Sequence, residues 1–195
     1  MISARGLAKR YGDRRVFAGV DLDLAPGGFL LVTGPNGSGK TTLLRVLAGL
    51  AVPSAGELRL PERHTVGYLG HEPLVYRELT PLENLTLFGR LYRLPERAER
   101  IGMLLERFGL WEVRHERVST FSRGMQQRLG LCRVLLHEPS LLLLDEPYNA
   151  LDQQGAELLD SIFDERDLDK PRTWVVATHE PQRVERRATE RLAFA

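Results

Sequence analysis

The first part of the chain carries the two-residue periodicity of β-strands. Val20, Leu22 and Leu24 are apolar, and the two positions between them are aspartates. Such alternation predicts a strand with one buried and one solvent-facing side. We therefore expect residues 1–24 to form a small antiparallel β-subdomain, with a turn at residues 10–13.

Three later stretches are almost entirely apolar, as strands inside a covered parallel sheet are: residues 29–33, 141–144 and 173–177. Apolar residues at helical spacing lie between them, in residues 42–50 and again in residues 155–163. This alternation of strands and helices predicts an α/β fold with a mostly parallel sheet covered on both faces.

The middle of the chain has a helical pattern. Residues 80–83 combine an N-cap hydroxyl, a proline at the first helical position and a glutamate at the third, which is a strong helix start. Pro95 opens a second helix with apolar residues on one face. We expect residues 74–119 to be a helical subdomain inserted into a core of residues 1–73 and 120–195, all within a single domain.

Shorter elements follow from local signals. Residues 53–57 have the composition of a turn, and residues 58–69 offer two short strands. From Ser122 the helical spacing resumes. A last strand-like piece lies at residues 192–194.

A glycine-rich loop follows the apolar run of residues 29–33. It has two glycines separated by four residues, then Lys and a hydroxyl residue, which is the phosphate-loop (Walker A) pattern. The glycines let backbone N–H groups point at an anion, Lys40 supplies positive charge for the β- and γ-phosphates, and the Thr41 hydroxyl can ligate Mg²⁺. The loop predicts that a nucleoside triphosphate is bound by Gly34, Pro35, Asn36, Gly37, Ser38, Gly39, Lys40, Thr41 and Thr42.

Two acids end the four-leucine run of residues 141–144. At the carboxyl end of a parallel strand beside a phosphate loop, Asp145 and Glu146 can reach the metal and the γ-phosphate. We expect Asp145 to join the Mg²⁺ shell and Glu146 to orient the attacking water or accept its proton. Acids after a strand can also simply cap a helix, but beside the phosphate loop the catalytic interpretation is preferred. The expected core is that of a P-loop NTPase.

Composition narrows the setting. The 195 residues allow one sizeable domain, and a net charge of +1 gives no reason to expect nucleic acid as a partner. The single cysteine, Cys132, excludes an internal disulfide, and its helical spacing suggests an inert buried thiol. We find no apolar run of membrane-spanning length and no signal-peptide pattern, so a cytoplasmic location is expected.

Further segments resemble motifs of the ATP-binding subunit of ABC transporters. Residues 121–128 resemble the signature segment of that family, and residues 149–152 resemble its D-loop. Thr178 and His179 follow a strand, as the family's switch histidine does, and Tyr11 falls where the family has its adenine-stacking aromatic residue. Together with the phosphate loop and the two acids, these matches occur in the family's order and cover nearly the whole chain.

The resemblance implies a head-to-tail dimer of ATP-binding subunits that holds two ATP molecules at its interface. It implies catalytic roles for Lys40, Glu146 and His179, with His179 reporting whether the γ-phosphate is present, and it places Asp152 in the D-loop. The signature residues are Ser122, Arg123, Gly124 and Met125. Ser122 and the Gly124 backbone would contact the γ-phosphate held by the other copy, and Arg123 would meet either the phosphates or the partner subunit.

Three positions depart from the family's pattern. Arg123 replaces the usual first glycine of the signature, and Met125 replaces its usual glutamine. Glu72 stands where the family has a glutamine that serves Mg²⁺ and the attacking water. An ionised carboxylate can accept a hydrogen bond and bind Mg²⁺, but it cannot donate one. We therefore expect Glu72 to affect the hydrolysis rate and the metal geometry more than ATP binding.

At a finer level, residues 70–73 and 79–85 resemble the ATP-binding subunit of the cytochrome c maturation exporter, a haem exporter whose loop commonly reads Gly-His-Gln-Pro. This resemblance implies export powered through a separate integral membrane permease. The permease would dock around residues 74–119, and the subunit would lie peripherally on the inner face of the cell membrane.

Other functions remain open beside haem export. A small export ATPase for another substrate would have these motifs, and so would a soluble non-transport assembly ATPase. Several other classes are disfavoured. A DNA-repair ATPase would need a coiled coil or zinc-binding cysteines, and this sequence shows neither. A translation factor would usually carry two ATPase domains, and here there is one. A GTPase would need an Asn-Lys-x-Asp motif, and a small kinase would leave residues 121–128 unexplained.

Overall fold

The structure is a computed structural model that describes residues 2–95, 97–165 and 171–194. The strands and helices within these ranges are, in chain order, β1 (Ile2–Tyr11), β2 (Arg14–Leu24), β3 (Phe29–Thr33), α1 (Lys40–Leu47), β4 (Ala55–Arg59), β5 (Val66–Leu69), α2 (Pro81–Leu91), α3 (Arg97–Arg107), α4 (Arg123–Leu135), β6 (Leu141–Asp145), α5 (Gln153–Asp164), β7 (Thr173–Ala177) and β8 (Glu190–Ala193).

The smaller sheet is antiparallel and has the order β2-β1-β4. Ile2 pairs with Leu24 and Ala4 pairs with Leu22. All four side chains are buried, while the aspartates that alternate with the leucines of β2 are exposed. The alternation therefore predicted both the strand and its buried face correctly.

The larger sheet is parallel and has the order β5-β6-β7-β3-β8. Every residue of β6 and β7 is buried, as expected for strands covered on both faces. Because the paired strands run in the same direction, the carboxyl ends of β3, β6 and β7 meet at one edge. This edge is where ligands bind in open α/β sheets.

A hydrophobic core joins the two sheets through α1. Leu43, Leu44 and Leu47 of this helix are fully buried in the same cluster as residues of β1, β3 and β6. Because these residues are buried, the position of α1 is fixed. The amino end of this helix directly follows the glycine loop.

The described residues form two compact units. The first takes in residues 1–71, 140–147 and 167–195, and therefore contains both sheets and α1. The second takes in residues 72–139 and 148–166, and contains α2 to α5.

The helical unit is larger than the segment of residues 74–119 that the sequence led us to expect. Helix α4 packs against α2 and α3, and α5 clusters with the same unit. Helix α2 begins as predicted, because the Thr80 hydroxyl accepts from the Glu83 N–H and the Glu83 carboxylate accepts from the Thr80 N–H.

One local prediction was wrong. Residues 53–57 were expected to form a turn, but β4 already begins at Ala55. The strand begins there because it pairs with β1, and not because of its own apolar pattern. Ala8 pairs with Ala55 and Arg5 pairs with Glu57 across the sheet. Most β4 side chains are exposed, so the strand carries almost no apolar signal of its own.

Candidate nucleotide-binding site

The loop between β3 and α1 adopts backbone conformations that favour glycine. Gly34, Gly37 and Gly39 have φ angles of 144°, 79° and 113°. A Cβ atom at Gly34 would lie 2.8 Å from the carbonyl oxygen of Phe194, so no side chain fits there. Pro35 and Asn36 are exposed with Gly37 at the tip of the loop. The glycines thus permit the sharp connection from strand to helix.

The amino end of α1 is suited to an anion. Its first turn has no acidic residue, and no side chain caps its N–H groups. Lys40 is 6% exposed, and its Nζ donates to the carbonyl oxygens of Gly34 at 2.7 Å and Pro35 at 3.1 Å. Ser38 Oγ is buried and has no hydrogen-bond partner among the described residues. Cationic and polar groups therefore line this loop.

Thr41, next to the loop lysine, contacts Asp145. The Thr41 hydroxyl donates to Asp145 Oδ2 at 2.6 Å, which joins the first turn of α1 to the end of β6. Burial raises the pKa of Asp145 above its ordinary value of 3.8, and the hydrogen bond from Thr41 opposes this rise. Thr42 is half-buried in the same helical turn. The hydroxyl and the carboxylate are hard oxygen donors, so this pair fits Mg²⁺.

Glu146 lies beside His179. Its backbone has a φ of 51°, and its N–H donates to the carbonyl oxygen of Ala177 at 2.8 Å. Its carboxylate lies 2.8 Å from His179 Nδ1 and accepts from the His179 N–H at 3.3 Å. The Glu146 side chain is 12% exposed and that of His179 is 51% exposed. The carboxylate is therefore held by the end of β7 and remains reachable from solvent.

Tyr11 belongs to the same unit. It ends β1, and its side chain is 51% exposed. It is thus one of the large apolar side chains that the first unit leaves at the surface. An exposed aromatic ring offers a stacking surface to a purine.

The signature and D-loop residues lie in the helical unit. Ser122 caps α4, with its Oγ accepting from the Met125 N–H at 3.2 Å. A Cβ at Gly124 would lie 2.7 Å from the carbonyl oxygen of Ala150, so glycine is needed there for packing. Arg123 is exposed and Met125 is half-buried.

Asp152 has a clear structural role. Its Oδ1 accepts from the Gly155 N–H at 2.8 Å, so it caps α5. The preceding Ala150 has a φ of 66°, which is unusual for a residue with a side chain. The D-loop is therefore held in a defined conformation within the helical unit.

Glu72 is exposed in the segment that opens the helical unit. The next residue, Pro73, accepts a hydrogen bond at 3.2 Å from Nε of Arg133, a buried residue of α4. The Arg133 guanidinium also lies 5.4 Å from the ring centre of Phe88. Sequence reasoning missed Arg133, although a charged residue amid the apolar positions of α4 was a visible signal.

Neither a preformed metal cluster nor a membrane-spanning helix occurs among the described residues. No group of three or more His, Cys, Asp or Glu side chains is placed to hold a metal ion in the described part of the chain. A metal at this site would therefore depend on the Thr41 hydroxyl, Asp145 and the nucleotide. Within the same ranges, no helix has the length and apolar character needed to cross a membrane.

Comparison with known proteins decides the family. A family profile described as "ABC transporter" matches residues 17–149, which is more than half of the chain. The chain belongs to the ABC transporter family. The resemblance inferred from the motifs is confirmed at this level.

Three relatives illustrate the breadth of the similarity. The chain is 41% identical to the uncharacterized ABC transporter ATP-binding protein YxlF of Bacillus subtilis, over 92% of this chain and 62% of the relative. It is 42% identical to the daunorubicin resistance ATP-binding protein DrrA3 of Streptomyces coeruleorubidus, over 83% of this chain and 55% of the relative. It is 38% identical to the cytochrome c biogenesis ATP-binding export protein CcmA of Cupriavidus necator, over 92% and 83%. The chain thus spans less than two thirds of the first two relatives.

Solved structures agree with the expected fold class. One described as the ATP-binding subunit of an ABC transporter has a TM-score of 0.90 at 26% identity, and it covers all of this chain and 85% of its own. Another is a dimeric, post-hydrolysis ATP-binding cassette bound to ADP and Pi, with a TM-score of 0.84 at 26% identity, covering 100% of this chain and 94% of its own. The P-loop NTPase fold, with its parallel and antiparallel sheets, is confirmed.

Proposed function

We propose that the chain is the ATP-binding and ATP-hydrolysing subunit of an ABC exporter. One observation carries the proposal: the carboxyl edge of a single parallel sheet presents the Lys40 loop, the Thr41–Asp145 pair and the Glu146–His179 pair. Phosphoryl transfer to water needs anion binding, a place for a divalent cation and a group to position the water. Each of these needs has a matching group at this edge.

Each residue then has a chemical task. Lys40 and the N–H groups at the start of α1 bind the phosphates. Glu146 positions the attacking water and accepts its proton, and His179 holds the Glu146 carboxylate in place and donates toward the γ-phosphate. Tyr11 stacks on the base. Electrostatic stabilisation and positioning supply most of the rate enhancement in such a reaction.

Thr41 and Asp145 would hold Mg²⁺ together with the phosphates of the nucleotide. The effect of Glu72 on the hydrolysis rate stays a prediction. When bound, Mg²⁺ neutralises charge on the phosphates. A buried carboxylate with a raised pKa is poised to gain from a cation, because the cation offsets the penalty of burying its charge.

The signature residues act in a second copy of the fold. We propose a head-to-tail dimer in which Ser122, the Gly124 backbone and the amino end of α4 face the nucleotide bound by the partner. A structural relative that was solved as a dimer in a post-hydrolysis state, bound to ADP and Pi, supports dimer formation. Arg123 brings a cation to this end of α4, where the helix dipole disfavours it unless an anion lies nearby.

The helical unit offers a surface for a membrane permease. Leu74 and Tyr76 are 55% and 53% exposed beside Glu72. The segment is fixed from behind, because the buried Asn84 side chain accepts from the Tyr76 N–H and donates to the Tyr76 carbonyl oxygen. Exposed apolar residues on a fixed backbone support docking of a permease here, with the subunit peripheral on the inner face of the membrane.

We propose that the exported substrate is haem and that the exporter serves cytochrome c maturation. The similarity to a cytochrome c biogenesis export protein runs over 83% of that protein. The loop of residues 70–73 supports the same assignment. A comparable identity to a daunorubicin resistance protein supports a second candidate, an exporter of another small molecule.

Hydrolysis is tested with Glu146→Gln. The variant should keep MgATP binding but lose about 10²- to 10⁴-fold in hydrolysis, because the amide cannot accept the proton. The matched control is Glu180→Gln, whose carboxylate is 51% exposed and 3.8 Å from His179 Nε2. Phosphate release and equilibrium binding are the measurements. Equal rates for the two variants would contradict the role of Glu146.

The partner is tested by purifying tagged Glu146→Gln with ATP from detergent-solubilised membranes of its native host. A multi-span partner from a cytochrome c maturation system supports the haem-export proposal. A different permease keeps the exporter and rejects the substrate. Recovery of soluble partners alone contradicts transport and favours an assembly ATPase.

A further inference from the structure

Tyr11 has a cationic neighbour on its own strand. Lys9 lies two residues before it in β1. Lys9 Nζ lies 4.7 Å from the centre of the Tyr11 ring, within the range of a cation–π contact. One face of the ring is therefore covered by an ammonium group.

The ammonium is held from a second direction. Lys9 Nζ donates to the carbonyl oxygen of Val52 at 2.7 Å. This carbonyl belongs to a segment bound to β1, because the Ser54 N–H donates to the Ala8 carbonyl oxygen at 2.8 Å and Ser54 Oγ accepts from the Arg10 N–H at 3.0 Å. Lys9 is thus fixed between a backbone acceptor and an aromatic face.

The choice of lysine at this position matters. The chain has three lysines among its 27 basic residues, and arginine supplies the others. A guanidinium would lie flat on the ring and extend past it, whereas an ammonium is a compact charge that covers one face. The Tyr11 side chain is still 51% exposed with Lys9 in contact. The ring can therefore offer its other face to a ligand.

We propose that Lys9 is a positioning residue for the nucleotide base. It holds the Tyr11 ring from one face in the orientation in which the other face stacks on the purine. This inference rests on the proposed ATP site and deepens it. Lys9 contributes through the ring and does not touch the phosphates.

The test uses Lys9→Met, which keeps an unbranched, slightly shorter side chain and removes its charge. Equilibrium binding of MgATP is compared with binding of inorganic tripolyphosphate, which has no base. We expect the Kd for MgATP to rise about 2- to 5-fold and the Kd for tripolyphosphate to stay constant. In hydrolysis assays the loss should fall on KM rather than on kcat.

A double-mutant cycle separates the ring from the charge. In a Tyr11→Ala background, Lys9→Met should add no further loss, because the ring through which Lys9 acts is gone. The matched control is Arg10→Met, which also removes one positive charge from β1 but whose guanidinium donates to the Asp13 carbonyl oxygen. It should bind both ligands as the parent does.

The outcomes are distinguishable. The inference would be overturned if Lys9→Met weakened the binding of MgATP and of tripolyphosphate equally. It would also be overturned if Lys9→Met weakened MgATP binding as much in the Tyr11→Ala background as in the parent. Both results would leave the ATP site intact. A parent protein that binds no MgATP would overturn the proposed function itself. Thermal unfolding of each variant confirms that binding is compared between folded proteins.

Discussion

At the scale of single residues, Asp145 illustrates a conflict between stability and chemistry. Burial raises its pKa, so the folded protein holds a proton at this site more tightly than the unfolded chain does. Its contribution to stability is therefore complete below the ordinary value of 3.8 and is lost as the pH rises through the raised pKa. The ionised carboxylate of Asp145 therefore destabilises the metal-free fold. A bound metal ion would neutralise its charge.

Asp145→Asn should consequently raise the melting temperature in EDTA at pH 7 to 8. The amide remains neutral and can still accept from Thr41. The melting temperature should rise by about 2–4 °C for each kcal/mol by which the free energy of unfolding increases. This rise should become smaller as the pH is lowered toward 4. Asp13→Asn, on the exposed turn after β1, is the control. Scanning calorimetry between pH 4 and pH 8 is the measurement, and a gain that does not depend on pH would contradict burial as its cause.

At the scale of elements, two helical glycines differ in what surrounds them. A Cβ at Gly124, near the start of α4, would lie 2.7 Å from a backbone oxygen. A Cβ at Gly102, inside α3, would meet its nearest atom, on Trp111, at 3.7 Å. We expect Gly124→Ala to destabilise the fold by about 1–3 kcal/mol and Gly102→Ala to stabilise it by about 0.5–1 kcal/mol. Urea unfolding measures both, and two changes of the same sign would contradict the packing argument.

The same scale explains which elements the sequence could predict. The start of α2 and the phosphate loop were predictable because their causes are local, a capping box at residues 80–83 and glycines in a short loop. The start of β4 was not, because it is set by pairing with a strand about fifty residues earlier. The charge of Arg133 was visible among the apolar positions of α4, but its acceptor on Pro73 was not, because it lies sixty residues away in the chain. Contacts between distant residues leave little trace in a local pattern.

At the scale of the whole molecule, the order of the elements links the two units. The helical unit is inserted between β5 and β6 and again between β6 and β7, which are neighbouring strands of the parallel sheet. The folded sheet therefore fixes both ends of each insertion, and loss of the sheet releases them together. Stabilising the sheet with a ligand should then also stabilise the helices.

Cys132 makes this testable. Its side chain is fully buried in α4, and burial raises its pKa, so the thiol should react with a maleimide only after unfolding. We expect labelling to begin at the urea concentration at which helical circular dichroism is lost. A hundredfold excess of MgATP over its Kd should add about 2.7 kcal/mol of stability and move both transitions upward together. Labelling that begins at lower urea and ignores MgATP would mean that the helical unit opens by itself. In that case nucleotide binding would not stabilise the helices.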